Sequence, residues 1–174
     1  MPIDIMSYAH SYPLSPPGGL FLTVVGVAIC VGAPFSQGRR QVILYLGLAL
    51  ATVAMALFVV RLTAHLPPPS TLAIVALFVA VTLEAALFPF VIRRLWPHGA
   101  SAVMQGALAL VGAHFLLMAP AFGPLVVVLG LLCVLNAAIA MMVQAIPDFF
   151  AWSTDGLLKV AIGAMLLHAS PMFG

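Results

Sequence analysis

Apolar residues fill this chain in long runs, and short polar segments rich in proline or glycine separate them. The runs at 19–35, 41–66, 71–92, 100–119, 123–146 and 153–170 each approach or exceed the length needed to cross about 30 Å of hydrocarbon at about 1.5 Å per helical residue. The separators "PFSQGRR", "HLPPPS", "RRLWPHG", "APAFGP" and "IPDFFAWSTDG" are where helices stop and restart, because proline lacks the amide donor and glycine favours non-helical backbone. The pattern predicts an all-α polytopic membrane protein of six spans, forming one domain over 19–174. Residues 1–18 carry four prolines with Tyr8 and Tyr12 and read as an interfacial, non-helical tail.

Composition strengthens this picture. Of the 174 residues 64% are hydrophobic and 6% charged, with a mean hydropathy of +1.24, against roughly 45–50% apolar and 25% charged in soluble domains. The net charge of +2 comes from clustered arginines and forms no stripe, which excludes nucleic acid as a partner and makes the lipid bilayer the first one. No positively charged n-region precedes the first apolar run, so that run is expected to be retained rather than cleaved. Cys30 and Cys133 fall at different depths and do not suit a disulfide.

Arg39 with Arg40 and Arg93 with Arg94 lie in the first and third connections, while the second and fourth carry no arginine or lysine. Basic short loops mark the cytoplasmic side, which puts both termini on the non-cytoplasmic side. A fainter signal is internal: "VGAPF" at 31–35 recurs as "VGAHF" at 111–115, and Gly26 aligns with Gly106 at the same offset. Halves of three spans would run in opposite directions, a weak 3+3 inverted repeat of the kind found in many transporters.

Glu84, inside "VTLEAALFPF", raises the main chemical question, since an ionised carboxylate within a span costs several kcal/mol unless compensated. Counted from the arginine-bearing ends at about 1.5 Å per residue, Glu84 lies roughly 12 Å deep and Lys159 roughly 9 Å. The matching depths predict an interhelical Glu84–Lys159 pair. The rival is Asp155, four residues before Lys159, in the favourable acid-then-base order along one helix. An ion site at Glu84 is the third alternative.

Asn136 and Gln144 share a stripe of the fifth span, with Gln105 near the depth of Gln144, and such amides join helices by hydrogen bonds or line a solute path. Toward the other surface Arg61, His65, His114 and His168 suit lipid headgroup contacts or an outer ligand. A haem held by His114 and His168 is disfavoured by their unequal depths. No nucleophile with a base, paired acids, phosphate-binding glycine loop or metal-binding motif occurs, so no catalytic or metal residue is assigned.

Three functions fit this reading. The small-residue faces suggest a non-catalytic accessory subunit that packs against other membrane chains or itself. Glu84 and the Asn136/Gln144 stripe suggest a small-solute or ion transporter, and a membrane enzyme or a haem or pigment carrier completes the set. The topology has a direct test: on a cysteine-free background, Gln37→Cys and Pro68→Cys are expected to react with an impermeant thiol reagent from opposite sides, and labelling from one side would refute six alternating spans.

Overall fold

The computed structural model describes residues 5–143 and 146–170, among which every regular element is a helix. Six helices are long and apolar enough to span a bilayer: α2 (Ser15–Gly32), α3 (Gln37–Leu62), α4 (Thr71–Leu95), α5 (Ala100–Leu117), α7 (Pro124–Met142) and α8 (Asp148–His168). The short helices α1 (Ile5–Ser11) and α6 (Ala119–Phe122) lie outside the spans. The chain is an all-α, multi-pass membrane protein.

Several boundaries depart from the sequence expectation, each for a local reason. Pro16 and Pro17 occupy the first turn of α2, where the missing amide costs nothing, so the helix starts at Ser15 rather than 19. The N-terminal tail is helical from Ile5 to Ser11, because Pro13, Pro16 and Pro17 flank that segment instead of interrupting it. Arg39 and Arg40 belong to the first turn of α3, and Arg93 and Arg94 to the last turn of α4, not to loops. Pro147 and Asp148 open α8 earlier than 153, with Asp148 in the first turn where helix polarity favours an acid.

Side-to-side packing runs in the order α3, α2, α8, α7, α5, α4. The helices therefore form an arc whose end members, α3 and α4, each pack along one neighbouring spanning helix and share no packed face. Two backbone approaches hold the arc. Between α2 and α8, a Cβ on Gly26 would fall 2.7 Å from Gly156 O, and one on Gly163 would fall 2.8 Å from Gly19 O. Between α5 and α7, a Cβ on Gly130 would fall 2.7 Å from Gly112 O. Glycine at each crossing lets backbones meet where lipid supplies no hydrophobic drive for association.

At the end opposite the arginine pairs, α1 folds onto the bundle. Tyr8 Oη donates to Phe122 O at 2.7 Å and accepts from Leu125 N at 3.3 Å. Burial pushes the Tyr8 hydroxyl up to about 12, so it stays protonated and keeps donating throughout the neutral range. Ser170 Oγ donates to Leu62 O at 3.3 Å, which ties the ends of α8 and α3.

The glycine crossings predict a selective sensitivity. Gly26→Ala and Gly163→Ala are expected to lower stability by about 1–3 kcal/mol each through overpacking. Gly38→Ala, where an added Cβ meets nothing within 4 Å, is expected to be neutral or better. Thermal melts in a mild detergent check the contrast, and equal effects at all three positions would contradict it.

Candidate functional site

The concave side of the arc encloses a cavity of about 630 Å3, within the roughly 300–1,000 Å3 of ordinary ligand pockets. Its wall draws on α2, α3, α4, α5 and α8. Most of it is apolar, and its polar residues fall into three groups.

The first group comes from α8. Residues three and four apart share a helix face, and Trp152, Asp155 and Lys159 follow that spacing along the face turned to the cavity. Glycine at 156 and 163 occupies the face that meets α2, so the close approach to α2 sets the rotation of α8 and aims the polar face inward. Lys159 Nζ donates to Asp155 Oδ2 at 2.5 Å, with Asp155 fully buried and Lys159 2% exposed. The ammonium also approaches Cys133 Sγ at 3.9 Å and stands 5.7 Å from the centre of the Phe115 ring. Among the described residues Asp155 Oδ1 has no hydrogen-bond partner.

The second group answers the question of Glu84. Its carboxylate does not meet Lys159; it lies 2.8 Å from His114 Nδ1 on α5. The angle there is not that of an aligned hydrogen bond, so the contact is a close electrostatic approach. Equal depth along the bundle is not sufficient for Glu84 and Lys159 to pair, because pairing also needs lateral adjacency. α4 packs against α5, while α8 packs against α2 and α7, and the cavity lies between Glu84 and Lys159. Of the four residues expected toward the outer surface, His114 stands in the last turn of α5 and is half-buried in the cavity wall. The other three are exposed, and His65 adopts a left-handed backbone with φ of 66°.

The third group sits at the arginine-bearing mouth, where the exposed Gln37 and Gln41 border the cavity. The Arg40 guanidinium stands 5.8 Å over the Trp152 ring. Among the described residues neither Arg40 Nε nor Trp152 Nε1, both buried, has a hydrogen-bond partner. Reading Arg40 as a loop residue concealed it. Trp152 was findable, because it stands three residues before Asp155 and seven before Lys159.

The amides serve the joints between helices. Asn136 Nδ2 donates to Ala151 O at 2.8 Å, linking α7 to α8. Gln105 reaches Asp148 Oδ1 at 3.5 Å, and Ser101 Oγ donates to the same oxygen at 2.6 Å. Gln144 lies outside the described residues. Among the described residues no cluster of three or more His, Cys, Asp or Glu suits a metal ion.

The ion-pair geometry predicts a specific coupling pattern. Asp155→Asn and Lys159→Met are each expected to destabilise by about 3 kcal/mol, because each leaves the other charge buried alone, and the double change is expected to recover much of the loss. Glu84→Gln with Lys159→Met is expected to be additive within about 0.5 kcal/mol. Double-mutant cycles on thermal stability check both, and coupling between Glu84 and Lys159 would contradict this geometry.

No curated protein and no solved structure matches the sequence at a significant level. A protein-family match spans residues 7–172, almost the whole chain, and the chain belongs to that family, DUF6609, a family of unknown function.

Proposed function

We propose that this protein is a membrane carrier that binds a small solute in its central cavity and passes it between the arginine-bearing side and the rest of the bilayer. One observation carries the reading: the buried pair Asp155 and Lys159 and the partly buried Glu84 beside His114 all lie along the wall of one cavity. Buried charge is expensive in a bilayer and is ordinarily kept for solute or ion handling. A purely structural subunit has no need of it.

The packing adds support. Within each half the first helix packs on the second, α2 on α3 and α5 on α7, and across halves the first packs on the third, α2 on α8 and α5 on α4. The residues that align in sequence follow suit. An added Cβ on Gly32 would face α3 at Ile43, and one on Gly112 would face α7 at Val134; Gly26 faces α8 at Val160, and Gly106 faces α4 at Val91. The symmetry fails at one place, because α7 packs on α8 while α3 stays apart from α4. An inverted repeat with one open seam suits a carrier held in one of its two states. At the other end of the cavity, Phe122, tied to Tyr8, closes against Gly18, so the open route is at the arginine-bearing end. That end faces the cytoplasm on the arginine distribution.

The accessory-subunit reading draws on the uncovered faces of α3 and α4, which lipid covers equally well. Thiol access separates the two. In a cysteine-free background, Leu44→Cys and Val111→Cys, both on the cavity wall, are expected to react with a membrane-impermeant thiol reagent applied at the arginine-bearing side. Leu131→Cys, 56% exposed on the outer surface of α7 and so bathed in lipid, is expected to stay inert. If the cavity positions are as unreactive as Leu131, the carrier reading fails.

A further inference from the structure

We infer that the cavity takes a single-chain anionic amphiphile, its head group between Arg40 and Trp152 and its apolar body along α5 toward Met118. The inference deepens the carrier reading and rests on it. The argument begins with charge. Among the described residues the acids of the cavity already have cationic or imidazole neighbours, Asp155 with Lys159 and Glu84 with His114. Arg40 lines the same cavity and has no carboxylate. Its positive charge is the unbalanced one, and it calls for an anion.

Hydrogen-bonding capacity points the same way. Arg40 Nε and Trp152 Nε1 are donors without acceptors, and Trp152 is only 5% exposed. Leaving a buried donor unmet costs about 1–3 kcal/mol, and two such donors beside each other are satisfied by a carboxylate or phosphate oxygen. The unpartnered Asp155 Oδ1, one turn further along the same face of α8, is an acceptor for a hydroxyl on or near that head group.

The rest of the wall sets the remainder of the ligand. Beyond Lys159 the wall formed by Leu22, Val111, Phe115, Met118 and Phe122 is apolar, and the remaining acid of the cavity, Glu84, is already opposed by His114 on the α4–α5 side, which suits an apolar chain and not a second anionic end. The seam between α3 and α4 gives such a chain a lateral path from the bilayer. Arg40, in the first turn of α3, stands near the membrane surface. An amphiphile in that leaflet already holds its head at this depth and its chain pointing inward, so it enters without turning over.

The two tryptophans make the test direct. Trp96 is 72% exposed outside this cavity, so Trp96→Phe leaves Trp152 as the sole emitter, and bromine on a bound ligand quenches a nearby indole. The probes are hexadecanoate brominated beside its carboxylate and hexadecanoate brominated at its far end, added to the full chain in a non-ionic detergent. The head-brominated probe is expected to quench Trp152 saturably and more strongly than the tail-brominated one, and unlabelled hexadecanoate is expected to reverse it. Arg40→Gln is expected to weaken binding at least about tenfold, as loss of a hydrogen bond to a charged group does, whereas Arg40→Lys retains part of the affinity. Unchanged melting of each variant separates lost binding from lost folding.

Equal quenching by both probes, equal competition by hexadecylamine, or full affinity in Arg40→Gln would overturn the inference. Competition by acetate or inorganic phosphate alone at the same concentration would reduce the site to a bare anion site, and stronger competition by a two-chain phosphatidate would remove the single-chain assignment; either result overturns it. If the cavity cysteines react while neither probe quenches, this inference fails and the carrier reading stands. If those cysteines are inert, both fail.

Discussion

The rest of the structure depends on the contact of bare backbone between α2 and α8. Gly19, Gly26, Gly156 and Gly163 leave no side chain between the two helices, so their separation and their rotation are fixed together. Helix faces are rigidly related by the turn angle. Once glycine holds one face of α8 against α2, the face bearing Trp152, Asp155 and Lys159 must look into the bundle. A single methyl group at the crossing would move the polar face and the cavity wall along with the helix.

That constraint also explains why a lysine is tolerated at mid-depth. Its carboxylate partner lies one turn away on the same helix, so the pair forms wherever α8 is helical and needs no neighbour to be in place. The thiol of Cys133 and the ring of Phe115 flank the ammonium. Glu84 is compensated differently, by a histidine across the α4–α5 interface, and α4 and α5 are joined by a short connection. Both arrangements are local in the chain, and neither spans the cavity.

Much of this was legible in the sequence. Run length and breakers located all six spanning helices, and the acid-before-base spacing offered Asp155 as a partner for Lys159. The lateral order of the helices was not legible. Apolar helices carry nearly the same side chains on every face, so depth could be counted from the loops, but which helix stands beside which could not. For that reason Glu84 was matched to Lys159 at equal depth instead of to His114 on the adjacent helix. Arg40 was missed because a basic residue near a span end reads first as a topology signal, and only the curvature of the arc turns it toward Trp152.

Local pairing has a mechanical consequence. A charge pair that bridged the cavity would have to be broken whenever the cavity changed width, and separating a buried pair costs about 3–5 kcal/mol. Here Asp155 and Lys159 move together on α8, and Glu84 and His114 lie on helices that pack directly against each other. Arg40 meets α8 at the face of the Trp152 ring, an attraction of about 0.5–2 kcal/mol. The seam between α3 and α4 can therefore widen or close without separating any opposite charges. The same pairing leaves Arg40, among the described residues of the cavity wall, with no carboxylate opposite it at the arginine-bearing mouth.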